Sequence, residues 1–165
     1  MTRLLSIALV TTSLIFAAGC GSKKKKGDQA GTPEGQISTQ PLNFDPMGSD
    51  SGNIVGLKTI NFDFDRATLT SDARRLLGEN ADWIRQNANV TVQVEGHCDK
   101  RGSVEYNLAL GERRAQAVKN YLVSLGIPSK QLTVISYGKE KPVALGDSEA
   151  DYASNRRANF VPLPQ

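Results

Sequence analysis

Histidine and cysteine are scarce in this 165-residue chain, which has one histidine, His97, and two cysteines, Cys20 and Cys98. A single imidazole beside carboxylates at no recognisable ligand spacing falls short of a zinc site, so no metal is expected. Two cysteines in unlike surroundings cannot build the disulfide scaffold of a small secreted domain. Neither charge prevails: 20 Lys and Arg face 17 Asp and Glu, a formal +3, and four of the cations are the lysines at 23–26. That balance excludes the strongly basic surface of a nucleic-acid binder. The apolar stretch at residues 4–18 is 15 residues long, short of the ~20 a membrane-spanning helix requires. Aromatics are 6% and hydrophobics 39%, enough for one core of ordinary size but not for two large domains.

The chain opens with Arg3, the uncharged stretch 4–18, then Ala17, Ala18, Gly19 and Cys20. This is the layout of a cleaved secretory signal. The small residues before a cysteine resemble the lipobox of bacterial lipoproteins, with Ala17 where that pattern prefers Leu, Val or Ile. The resemblance implies a signal over residues 1–19 and covalent acylation of Cys20, with no other cofactor. Gly21 after the cysteine implies sorting to the outer membrane, facing the periplasm. Several acyl chains hold a protein to a bilayer where one holds only marginally. Residues 20–56 are rich in Gly, Ser, Pro, Asp and Gln without periodicity and are expected to form a flexible tether. The lysines at 23–26 read as a solvated part of it, and an ordinary signal peptide with an incidental cysteine is the competing reading.

From residue 57 to 165 strand and helix patterns alternate. Ile60, Phe62 and Phe64 share one face of a strand over 59–64. Thr70 or Ser71 caps a helix carrying Ala73, Leu76, Leu77 and Ile84 and running to Asn87, with Gly78 and Asn80 weakening its middle. Val90, Val92 and Val94 alternate in a second strand broken by Gly96. Ser103 caps a second helix that runs through Leu108, Ala115, Val118 and Leu122 to Gly126. Residues 132–137 form a third strand, 150–155 a turn or short helix, and 158–161 a last strand. The expected fold is a two-layer α/β (α+β) sandwich, βαβαβ(α)β, with helices over one face of a mixed four-stranded sheet.

Polar residues crowd the run Glu95-Gly96-His97-Cys98-Asp99-Lys100-Arg101-Gly102, at the carboxyl end of a strand and the mouth of a loop, where ligands of open α/β sheets tend to bind. Asn107, Gly111 and Arg114 form one helical stripe. The stripe fits either a ligand approaching Gly111 closely or a solvated face with a glycine admitted for helix-to-sheet packing. His97 with Cys98 or Asp99 suggests a hydrolase only weakly, because neighbours on a strand splay to opposite faces. His97 is better read as a structural residue.

The 95–102 run, followed by Glu105-Tyr106-Asn107, Leu110-Gly111-Glu112-Arg113-Arg114-Ala115, Ser136-Tyr137-Gly138-Lys139-Glu140-Lys141-Pro142 and Asn155-Arg156-Arg157-Ala158, resembles the OmpA-like peptidoglycan-binding domain over roughly residues 57–161. The resemblance implies a non-enzymatic wall binder. An aspartate at the position of Asp99 would meet the side-chain ammonium of diaminopimelate in a peptidoglycan stem, and an arginine at that of Arg114 its carboxylate. Asn107 and Arg157 would help hold the peptide, with Phe62, Phe64 and Asp65 lining the approach. Arg156, Arg113 and Glu112 are weaker candidates. Cys98, standing in the same loop where the family carries a small residue, is counted with these peptidoglycan-binding residues and is expected to be a buried thiol. Lipoprotein members of the family further imply partners in the periplasmic β-propeller of the Tol system and in other Tol proteins, with roles in envelope integrity and cell division. A flagellar-type stator with the same domain would need an uncleaved membrane-spanning helix, which the short apolar run disfavours.

Overall fold

By its internal contacts the chain divides after Gln40. In the computed structural model, residues 53–163 of the second unit, Pro41–Gln165, are described. The signal, Cys20, and the tether as far as residue 52 lie outside the described residues. The domain's core takes in residues ahead of the expected boundary at 57, for Ile54 packs against it and Leu57 is 1% exposed.

The described elements run β1 (Ile60–Asn61), α1 (Ser71–Gln86), β2 (Thr91–His97), α2 (Val104–Ser124), a short 3-10 turn (Ser129–Gln131), β3 (Leu132–Gly138), α3 (Glu149–Asn155) and β4 (Arg157–Leu163). They form one mixed sheet in the order β1-β4-β2-β3. β4 runs antiparallel to both β1 and β2, while β2 and β3 are parallel. The α/β sandwich with a mixed four-stranded sheet is therefore the fold found.

Period-two alternation puts Val92 and Val94 of β2 and Ala158 and Phe160 of β4 on the same face. There they meet Ala73, Leu77, Ala81 and Ile84 of α1 and Ala115, Val118 and Leu122 of α2 in a single buried core. α2 lies over β2 and β3, and α1 packs on β1 and α2. Both helices begin as their sequences require. The Thr70 hydroxyl accepts from the Ala73 amide at 3.1 Å and the Ser103 hydroxyl from that of Tyr106 at 3.1 Å, filling donors that a helix start leaves open.

Asn80, in the middle of α1, is fully buried and clamps the Lys58 backbone. Its side chain accepts from the Lys58 amide at 2.7 Å and donates to the Lys58 carbonyl at 2.8 Å. Gln131 does similar work below the sheet, donating to the carbonyls of Ile84, Asn87 and Val90.

The first strand is much shorter than expected. After Phe62, whose amide still donates to the Arg156 carbonyl at 2.9 Å, the chain leaves the sheet. The Arg66 amide turns back onto the Asp63 carbonyl, and Asp65 takes a left-handed φ of 56°, a region aspartate tolerates better than most side chains. The carbonyls freed by the turn are taken up by an arginine of α2, so hydrogen bonding from outside the sheet overrides the alternating pattern of 59–64.

Candidate ligand-binding site

The site forms where the carboxyl end of β2 hands over to α2. Gly96 and Gly111 meet there backbone to backbone. A Cβ on Gly96 would run into the Gly111 carbonyl, and one on Gly111 would collide with the Ser136 hydroxyl and come within 2.8 Å of the Gly96 carbonyl. Gly111 is thus the packing glycine of the two alternatives, and it lets α2 sit low enough to set Asn107 and Arg114 against the β2 loop. Asn107 is buried and donates to the carbonyls of Arg101 at 2.7 Å and Ser103 at 3.0 Å, tying the loop to the first turn of α2. The Cys98 thiol, 3% exposed, donates to the Asn107 carbonyl at 3.4 Å. Burial pushes this thiol up from its ordinary pKa, against the pull of Arg114, which keeps it a protonated, inert filler.

Arg114 is completely buried. Its Nε donates to the Arg66 carbonyl at 2.8 Å, one terminal nitrogen to the His97 carbonyl at 2.7 Å and to Cys98 Sγ at 3.4 Å, and the other to the Asp63 carbonyl at 3.1 Å. A guanidinium has five N–H donors, and these bonds use four of them. Burial lowers the Arg114 pKa from its ordinary value, but such a group stays protonated. The same bonds hold the 63–66 turn in place, so Arg114 is a scaffold as well as a cation.

Asp99 is 4% exposed and well furnished with donors. The Arg101 amide and Nε donate to Oδ1, each at 3.1 Å, and a terminal Arg101 nitrogen donates to Oδ2 at 2.6 Å. Arg156 reaches Oδ2 at 3.4 Å. Burial alone would raise the Asp99 pKa, but the Arg101 and Arg156 hydrogen bonds outweigh it and hold the carboxyl below its usual value. It is an anion at neutral pH.

Phe64, Asp65, Cys98, Asp99, Asn107 and Arg114 all line one cleft of about 170 Å³, together with Arg101, Gly102, Tyr106, Leu110 and Arg156. Phe64 and Tyr106 stand half exposed at its rim, and the Tyr106 hydroxyl donates to the Asp65 carboxylate. Two expected members are elsewhere. Phe62 is 4% exposed, part of the core, with its ring centroid 5.2 Å from the Arg114 guanidinium. Arg157 does not line the cleft, and its side chain donates to the Lys141 carbonyl at 3.3 Å. The pleat explains this: Ala158 faces the core, so its neighbour Arg157 faces the other side of the sheet. Arg156, just outside the strand, takes the cleft instead, donating to the Phe62 carbonyl at 3.0 Å and to Glu149 at 2.8 Å.

Arg101 and Tyr106 line the cleft although the family resemblance assigns neither a role. Arg101 lies two residues from Asp99 in the loop, and that spacing was the only signal. His97 and Cys98 do not form a dyad. The imidazole stacks on Tyr137 with centroids 5.6 Å apart and approaches Glu95 at 3.4 Å, while the thiol turns to Asn107. Among the described residues, no three His, Cys, Asp or Glu side chains gather as metal ligands, and no helix is long and apolar enough to cross a membrane.

A buried carboxylate and a buried guanidinium opening on one small cleft can hold a group carrying both charges, such as the free end of an amino acid. The volume admits that end and not a whole drug-sized ligand, for which ~300 Å³ or more is usual. The OmpA family matches residues 61–159, and the chain belongs to that family. Relatives that match most of its length include peptidoglycan-associated lipoproteins. That of Rhizobium meliloti is 44% identical over 157 residues, 94% of this chain and 85% of the relative. That of Pasteurella multocida is 39% identical over 158 residues, 96% and 97% of the two chains. The crystal structure of the peptidoglycan-associated lipoprotein from Burkholderia pseudomallei is 42% identical and superposes with a TM-score of 0.62 over 64% of this chain and 90% of that one. The C-terminal domain of Helicobacter pylori MotB, 23% identical, shares the fold with a TM-score of 0.62 over 67% and 87% of the two chains.

Proposed function

We propose that this protein is a non-covalent anchor between the outer membrane and the cell wall, in which the cleft binds the diaminopimelate of a peptidoglycan stem peptide. One observation carries the reading: Asp99 and Arg114, of opposite charge and both buried, open onto a single cleft sized for one amino-acid end. The free end of diaminopimelate is a zwitterion. Its ammonium suits Asp99, and its carboxylate suits the Arg114 guanidinium. The names of the relatives support both halves of the reading, the wall and the lipid. Acylation of Cys20 would supply the membrane end, and partnership with the Tol-system β-propeller, in envelope integrity and cell division, belongs to the same proposal.

The test is a titration with a soluble diaminopimelate muropeptide beside the same peptide carrying lysine, which keeps the ammonium but lacks the second carboxylate. The diaminopimelate peptide should bind and the lysine peptide should bind markedly less. Asp99→Asn should weaken the former by about ten- to a hundredfold, the range for a charged hydrogen bond. Binding unchanged by Asp99→Asn would sink the site. Arg114→Ala is the poorer probe, since it also frees the carbonyls of the 63–66 turn and β2.

A further inference from the structure

Three arginines surround the cleft, and one of them differs from the others. Arg114 is fully buried and Arg156 is 7% exposed, each tied to backbone carbonyls. The Arg101 side chain is 36% exposed, and among the described residues its guanidinium bonds to no carbonyl. Its fork occupies both oxygens of Asp99, the carboxylate that an incoming ammonium needs. The guanidinium lies between two aromatic faces, 4.0 Å from the centroid of Phe64 and 4.4 Å from that of Tyr152. Its other terminal nitrogen lies 3.6 Å from Glu149, which is itself largely exposed.

Building on the wall-anchor reading, we infer that Arg101 is a placeholder for the ligand's ammonium that selects zwitterions: it holds Asp99 until an ammonium replaces it, and then joins Arg114 on the ligand's carboxylate. An ammonium added while Arg101 stayed in place would bring a third cation onto a carboxylate already shared by Arg101 and Arg156. The guanidinium must therefore give up Asp99. The flat walls of Phe64 and Tyr152 let it slide outward while keeping its cation–π contacts, and Glu149 retains it electrostatically. A plain amine offers the displaced guanidinium nothing in return. A carbon bearing both ammonium and carboxylate gives Asp99 its new partner and the Arg101 fork a bidentate acceptor. Discrimination against the lysine stem then comes from the cost of displacing Arg101 as well as from the missing contact at Arg114.

The experiment compares Arg101→Gln with the natural full chain on the diaminopimelate and lysine stem peptides. Glutamine keeps some bulk but cannot hold Asp99 as a cation. The lysine stem should bind the variant about fivefold tighter, since its competitor is gone, while the diaminopimelate stem changes less because a lost clamp offsets a lost competitor. The ratio of the two affinities should shrink accordingly, and Arg101→Lys should restore only part of it. In the natural chain the 15Nε resonance of Arg101 should shift on adding the diaminopimelate stem. An unchanged ratio, or an equal loss for both stems in Arg101→Gln, overturns the placeholder while leaving the wall-anchor reading intact. If the natural chain binds neither stem, both fall.

Discussion

The chain's single histidine marks a buried environment that the ligand-binding reading does not use. His97 is fully buried, its Nε2 lies 3.4 Å from Glu95, and its Nδ1 has no hydrogen-bond partner among the described residues. Burial lowers its pKa below the ordinary value, opposed by the Glu95 bond and reinforced by the positive charges of Arg157 and Lys141. The unfolded chain takes up this proton near pH 6.5 while the folded one resists it, so stability is complete above that pH and declines as pH falls below it. Thermal unfolding between pH 8 and 5 should show that decline, and His97→Asn should remove it from the region around pH 6.5. A decline of the same depth in the variant would assign it to other groups. Cys98 shows the same influence of burial on a neutral side chain, and the expectation of a buried thiol agrees with its 3% exposure.

At the scale of elements, the seam between α2, β2 and β3 decides whether the site exists. Gly96 and Gly111 bring helix and sheet into backbone contact, with Ser136 of β3 alongside. Gly111→Ala gains helix propensity of about 1 kcal/mol, but overpacking against immobile backbone typically costs about 1–3 kcal/mol. Gly78, also within a helix, has nothing within 4 Å of where a Cβ would stand. Gly78→Ala should therefore raise the melting temperature and Gly111→Ala should lower it, while also loosening the cleft for the stem peptide. Equal stabilisation by both would mean that α2 can lift off the sheet freely. At Gly111 the sequence leaves ligand approach and helix-to-sheet packing equally open. The deciding atoms belong to Gly96 and Ser136, far along the chain. Both long helices are legible from their caps, since Thr70 and Ser103 act on amides three residues away and such contacts are local. The end of the first strand is not legible locally, because it depends on Arg114, 48 residues beyond Arg66.

At the scale of the whole molecule, the proposed anchor has two attachments in series, an acylated Cys20 and the cleft, and each should fail alone. With Cys20→Ser, the protein should leave the membrane fraction yet still sediment with isolated cell-wall sacculi. With Asp99→Asn, it should stay with the membrane and no longer sediment with sacculi. Loss of both properties in either variant would contradict separate attachments.

Much of the cleft was legible in the 95–102 run and the Asn107 to Arg114 stripe, because a strand end, a short loop and one helical face are close in sequence. Sequence by itself determined the alternation of strands and helices, the caps, the shortness of the apolar stretch at 4–18 and the presence of an acid–arginine pair in one motif. Each of these is set by composition or by spacings of a few residues. Tertiary structure alone decided that Arg156 and not Arg157 lines the cleft, that Phe62 lies in the core beside Arg114, and that Arg101 occupies Asp99. Those outcomes depend on strand pleat and on contacts between residues as far apart as Asp99 and Arg156 or Phe62 and Arg114, which local periodicity does not encode.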